Sequence, residues 1–199
     1  MTDMTSVAPA LAAALAKKGY DTLTSVQESI LNEAPAEADL LVSAQTGSGK
    51  TVAFGLALAP TLLGDQDRLA PPGAPIALAI APTRELALQV KDELTWLYAE
   101  TGAQTASCVG GMDPRTERRT LERGTHIVVG TPGRLRDHIE RGALDLSELK
   151  AVVLDEADEM LDMGFVDDIE WVMQHAPEER QTALFSATMP PRIAELATK

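Results

Sequence analysis

Apolar positions along the chain gather in short runs, spaced so that a helix fits between each run and the next. The runs are DLLVS at Asp39–Ser43, IALAIA at Ile76–Ala81, TASCV at Thr105–Val109, HIVVG at His126–Gly130, AVVL at Ala151–Leu154 and TALF at Thr182–Phe185. Each is followed by a polar or glycine-containing turn and then by helical patterning. A segment apolar at consecutive positions suits a strand buried on both faces, as in a parallel sheet covered by helices on either side. Strand–helix alternation therefore predicts an α/β three-layer sandwich, with a mostly parallel sheet and helices on both faces.

Two helical stretches precede the first run. One covers Ala8–Lys18 and is closed by Gly19; the other starts at Ser25, where Ser25-x-x-Glu28 has the spacing of a capping box. Residues 1–38 read as a helical appendage belonging to the same domain that residues 39–199 build. Gly64–Pro75 (GDQDRLAPPGAP) is rich in proline, glycine and polar residues, which predicts an exposed, mobile loop. The sequence contains no internal repeat and no domain linker.

Chemistry concentrates first in Ala44-Gln45-Thr46-Gly47-Ser48-Gly49-Lys50-Thr51, which follows a predicted strand and opens a predicted helix. This is P-loop spacing with alanine at the first glycine position. A triphosphate packs several negative charges into a small volume and needs many N–H donors at close range. Gly47 and Gly49 permit that backbone path, and the helix N-terminus adds its dipole. Thr46, Ser48 and Lys50 complete the cradle, with Lys50 reaching the β- and γ-phosphates. Thr51 offers a hydroxyl to Mg²⁺. The second signal is Asp155-Glu156-Ala157-Asp158 at the end of AVVL. A carboxylate at the C-terminal end of a strand beside the P-loop strand can face Mg²⁺, which assigns Asp155 to the metal side. Glu156 can orient, and partly deprotonate, an attacking water. Lys50, Asp155 and Glu156 are thus the catalytic candidates, and ATP with Mg²⁺ the expected ligands.

The composition allows this reading and narrows it. At 199 residues, 45% hydrophobic and 24% charged, the chain suits one packed domain. No apolar run reaches the roughly 18 residues that a membrane span needs, and MTDMTSVAPA lacks the order of a signal peptide, so the cytoplasm is the default compartment. Cys108 is the single cysteine, so neither an internal disulfide nor a zinc framework is available, and it reads as a small strand residue. His126, His138 and His175 show no defensible ligand spacing and read as structural or exposed. Thirty acidic against 17 basic residues give a net charge of −13, which argues against nucleic-acid binding through a broad basic surface.

The Asp155–Asp158 tetrad spells the signature of DEAD-box RNA helicases, and the chain resembles the first RecA-like domain of that family over essentially its whole length. Gly19-Tyr20 through Gln27 resembles the Q motif, although Leu23 and Ser25 stand where the family has prolines. Pro82-Thr83-Arg84-Glu85-Leu86-Ala87 is similar to motif Ia, Gly110-Gly111 to the GG motif, Thr131-Pro132-Gly133-Arg134 to motif Ib and Ser186-Ala187-Thr188 to motif III. The resemblance implies that the Gln27 amide reads an adenine edge and that Tyr20 stacks on the ring. It implies that Thr83, Arg84, Gly110, Gly111, Thr131 and Arg134 present hydroxyls, amides and guanidinia to consecutive RNA phosphates, which would make binding sequence-independent. It further implies that Ser186 and Thr188 hydrogen-bond toward Asp158 and couple the nucleotide site to a partner domain. Family members carry a second RecA-like domain that supplies arginines to the γ-phosphate. None of its motifs is present, so this chain is expected to hydrolyse ATP very slowly alone. Two alternatives remain open: a nucleotide-responsive binding module without catalysis, and a DNA-directed helicase of the same superfamily. With 4% aromatic residues, a monomer is expected.

Overall fold

The computed structural model describes residues 7–20, 24, 27, 39–43, 49–64, 66–111 and 113–197. Among these, six strands form one sheet: β1 (Leu40–Ser43), β2 (Ala77–Ile80), β3 (Thr105–Cys108), β4 (Ile127–Gly130), β5 (Ala151–Leu154) and β6 (Gln181–Ser186). Every neighbouring pair is parallel, and the spatial order is β1-β6-β5-β2-β4-β3. The helices are α1 (Pro9–Lys17), α2 (Lys50–Leu63), α3 (Arg84–Leu97), α4 (Pro114–Glu122), α5 (Pro132–Glu140), α6 (Ala157–Asp162), α7 (Val166–His175) and α8 (Pro191–Ala197). No helix among the described residues is long and apolar enough to cross a membrane.

Strand side chains alternate between two cores because successive Cβ atoms leave opposite faces. Ala77, Ala79, Val153 and Phe185 pack with α1, α2 and α3, whereas Leu78, Ile80, Val152 and Leu184 pack with α4 through α8. The result is the three-layer arrangement that the apolar runs predict. α1 joins the first core through Leu11 and Leu15, both essentially unexposed; their burial contributes about 1.5–3 kcal/mol each.

The sheet positions the site. Parallel strands bring all C-terminal ends to one edge, in register from Ser43↔Ser186 to Cys108↔Gly130. The order splits that edge in two. The ends of β1, β6 and β5 form one half, and the ends of β2, β4 and β3 form the other.

One local expectation is revised, and another lies outside the described residues. Residues 66–75 are largely exposed but tied down: Leu69 N donates to Thr101 O at 2.9 Å, Thr125 N to Gly73 O at 3.0 Å, and the His126 ring bonds Ala70 O at 2.6 Å. The segment is therefore a strap across the sheet's lower edge. Ser25 and Glu28 lie outside the described residues; a reciprocal capping pair occurs one position earlier, with Gln27 N donating to Thr24 Oγ1 at 3.3 Å and Thr24 N to Gln27 Oε1 at 3.0 Å.

Candidate active site

Lys50 is the first residue of α2, and Gly49 is its N-cap at φ +78°. A side chain there would be strained twice, by the left-handed backbone and by an approach of 2.8 Å from a Cβ to Gln27 Nε2. Gln27 is buried and donates from Nε2 to Gly49 O at 3.1 Å. Its amide thus joins the segment after α1 to the start of α2, and among the described residues one N–H and one lone pair have no partner. Ala44–Ser48, which include the candidates Thr46, Gly47 and Ser48, lie outside the described residues.

Across from α2, β5 delivers Asp155 and Glu156. Lys50 Nζ lies 3.0 Å from Asp155 Oδ1 and 3.1 Å from Glu156 Oε1, with Lys50 and Asp155 both buried. The contact with Asp155 is an ion pair, and among the described residues neither Asp155 oxygen accepts a well-aligned hydrogen bond, the Lys50 ammonium and the Glu156 amide being its nearby donors. Burial pushes the Asp155 carboxyl above its usual range, and the nearby Lys50 charge opposes that only in part. A buried carboxylate whose charge one ammonium offsets only in part is the environment that a hard cation relieves, so the residues present fit Mg²⁺. Thr51, also buried, follows Lys50 on the first turn of α2. Glu156 has φ 51°, the one positive value outside glycine among the described residues. Local strain of about 1–3 kcal/mol is thereby held at a chemically important side chain.

One turn later the backbone connects to β6. Asp158 N donates to Ser186 Oγ at 3.1 Å, while Thr188 N and Thr188 Oγ1 both donate to Asp158 Oδ2 at 3.1 Å. Burial pulls the Asp158 carboxyl up, but hydrogen bonding from Thr188 and Ser186 and from the Thr188 and Glu159 amides outweighs it and holds the group below the usual carboxylate range.

The other half of the edge carries a second cluster. Thr83 caps α3, its hydroxyl accepting from Leu86 N at 3.2 Å, and Arg84 beside it is exposed. Gly111, at φ +84°, lies under the Arg84 guanidinium, where a Cβ would stand 2.6 Å from Nη1. Thr131 is the N-cap of α5 without a side-chain capping bond, and Pro132 holds the first helical position. Pro82 and Pro132 are buried, whereas Gly110, Gly111 and Gly133 are exposed. Arg134 Nη1 is bonded to Glu117 Oε1 at 3.0 Å.

The family model described as DEAD/DEAH box helicase matches residues 24–196. The chain belongs to this family. It is 43% identical over 186 residues to the DEAD-box ATP-dependent RNA helicase CshA of Geobacillus kaustophilus, covering 94% of this chain and 38% of that protein. It is 47% identical over 188 residues to the ATP-dependent RNA helicase DeaD of Haemophilus influenzae, covering 94% and 30%. The crystal structure of a DEAD box protein from the hyperthermophile Methanococcus jannaschii aligns with a TM-score of 0.83 at 38% identity, over 97% of this chain and 51% of that one. The chain thus spans 30–38% of the length of these curated relatives.

Within this DEAD-box domain, Tyr20 packs against the end of α3. Its half-exposed ring stacks on Trp96 near the C-terminal end of α3, 5.8 Å between centroids, with Lys18 Nζ 5.4 Å from the Trp96 ring centre. Glu117 was not among the sequence candidates. The available signal was its position four residues before buried Leu121, which turns a charged side chain toward the core face of α4.

Proposed function

We propose that this chain is the N-terminal ATP-binding domain of an ATP-dependent RNA helicase. It binds Mg-ATP at the β1–β6–β5 half of the edge and an RNA backbone at the β2–β4–β3 half. Efficient hydrolysis requires a C-terminal RecA-like domain. The observation carrying this reading is Lys50, a buried ammonium 3.0 Å and 3.1 Å from two carboxylates at the mouth of a P-loop helix. A triphosphate competes for that ammonium, and the transfer of Lys50 to phosphate leaves Asp155 and Glu156 available for chemistry.

In this mechanism Thr51 and Asp155 would hold Mg²⁺, directly or through water, and the ion would supply positive charge to the phosphate oxygens. Thr46, Gly47, Ser48 and Gly49 supply the backbone cradle, and Lys50 neutralises charge on the β–γ linkage. Glu156 aligns the water that attacks the γ-phosphorus and takes up its proton as the β–γ bond breaks. Gln27, through its remaining N–H and lone pair, reads the adenine edge, and Tyr20 stacks on the base after leaving Trp96. Pro82, Thr83, Arg84, Gly110, Gly111, Thr131, Pro132, Gly133 and Arg134 form the RNA face. Asp158, Ser186 and Thr188 couple the site to the second domain. The greater length of the relatives supports that partner domain, and the same reading has the protein act as a monomer in the cytoplasm.

The decisive experiment is RNA-stimulated ATPase activity of this chain alone and after addition of the C-terminal half of the parent protein. Without arginines from that half, the rate is expected to be lower by about 10³ to 10⁵. Activity only in the mixture supports the reading; full activity of the chain alone overturns the requirement for a second domain.

A further inference from the structure

Glu117 is a carboxylate on α4, only 6% exposed, that serves three segments at once. Oε1 accepts from Arg134 Nη1 at 3.0 Å and lies 2.8 Å from His138 Nε2, while Oε2 accepts from Val109 N at 2.9 Å. Val109 is the residue immediately before Gly110–Gly111, and Arg134 sits on the first turn of α5. One side chain therefore ties the glycine turn after β3 to the arginine after β4. Burial alone would raise this carboxyl, yet the bonds from His138, Val109 and Arg134 hold it below its usual range, so it stays ionised and accepting at neutral pH.

The same pocket brings ligand atoms of Cys108, Glu117 and His138 within 4.8 Å of one another. Two features oppose a metal there. The Arg134 cation already occupies Glu117 Oε1, and burial, followed by the Glu117 charge, pushes the Cys108 thiol far above its ordinary range, keeping it protonated. The cluster organises protein groups instead.

We propose that Glu117 is a positioning residue for the RNA face, clamping Arg134 and, through the Val109 amide, the Gly110–Gly111 turn in one fixed relation. The proposal rests on the assignment of that half of the edge to RNA. Its physical basis is preorganisation: phosphate contacts made by a half-buried, bonded guanidinium and a fixed turn lose little side-chain freedom on binding. This matters on a chain of net charge −13, where a few well-held groups do the work of a basic surface.

The test measures anisotropy of a labelled single-stranded RNA of mixed sequence at low salt, in parallel with binding of a fluorescent ATP analogue. Glu117→Gln is nearly isosteric but offers one acceptor oxygen to three donors. It is expected to weaken RNA binding roughly tenfold, mainly through Arg134, while its affinity for the analogue is unchanged. Combining it with Arg134→Ala should cost clearly less than the sum of the two single losses, the remainder coming through the Gly110–Gly111 turn. Unchanged RNA affinity in Glu117→Gln, or losses that add in the double variant, overturns the proposal. In the same samples the Arg134 guanidinium NMR signals should lose their dispersed positions in Glu117→Gln; unmoved signals also overturn it. If the wild-type chain binds no RNA, the RNA-face assignment fails and takes the proposed role with it, whereas moved guanidinium signals would still show the clamp itself.

Discussion

Glu156 shows how much of the candidate chemistry is decided by a single residue. Its left-handed backbone, at φ 51°, would cost less with glycine, so the carboxylate is retained against a local penalty. Glu156→Gln keeps the shape and removes the base. In the full-length protein this variant is expected to bind an ATP analogue normally while turnover falls by about 10² to 10⁴; unaltered turnover would exclude Glu156 as the base. Asp155 behaves oppositely to an ordinary ion-paired aspartate. Its folded-state carboxyl is raised, so the native state binds the proton more tightly than the unfolded chain does. Asp155 therefore lowers the stability of the nucleotide-free chain as pH rises from the usual carboxylate range through that raised value. Denaturant melts of wild type and Asp155→Asn across this window should differ by a pH-dependent increment; parallel curves would contradict the shift.

Elements are joined here by small polar devices. The strap at residues 66–75 depends on His126, whose Nδ1 accepts from Gln104 N at 2.8 Å, leaving Nε2 to donate to Ala70 O at 2.6 Å. A neutral ring in a single tautomer satisfies both. His126→Phe fills the space but strands the Gln104 amide and the Ala70 carbonyl, with an expected loss of about 1–3 kcal/mol in urea unfolding. Amide exchange at Leu69 should quicken along with it, and unchanged exchange would show that the strap is held elsewhere. α6 is linked to the end of β6 in a similar way, through Asp158, Ser186 and Thr188. Because the Asp158 carboxyl is depressed, that link is fully present at neutral pH and is lost only as pH falls through a value below the ordinary aspartate range.

At the scale of the whole molecule, the net charge of −13 limits how RNA can be held. If Arg84 and Arg134 are the principal phosphate partners, about two counterions are displaced. The logarithm of RNA affinity should then fall with the logarithm of salt concentration at a slope of roughly −1.4. A much steeper slope would reveal a broad basic footprint that the surface reading rejects. On the proposed reading, the sheet order lets one small domain serve two different ligands. β5 and β2 are neighbours at mid-sheet, with Leu154 opposite Ile80, so the proposed nucleotide half and the proposed RNA half of the edge are adjacent.

What the amino-acid sequence determined by itself was local. Apolar runs marked the strands because the inner β2, β4 and β5 are buried on both faces, while the edge strand β3 keeps half-buried Thr105 and Ser107; the candidate P-loop stood out because its glycines, lysine and helix start are contiguous. Tertiary structure alone decided which segments meet. Lys50 and Glu156 lie 106 residues apart and touch only because the order β1-β6-β5 brings their strand ends together. Gln27 against Gly49, the His126 strap and the Glu117 clamp were illegible for the same reason. Each is a polar side chain whose partner belongs to a distant segment, and periodicity reports the face a residue occupies without naming what lies across from it.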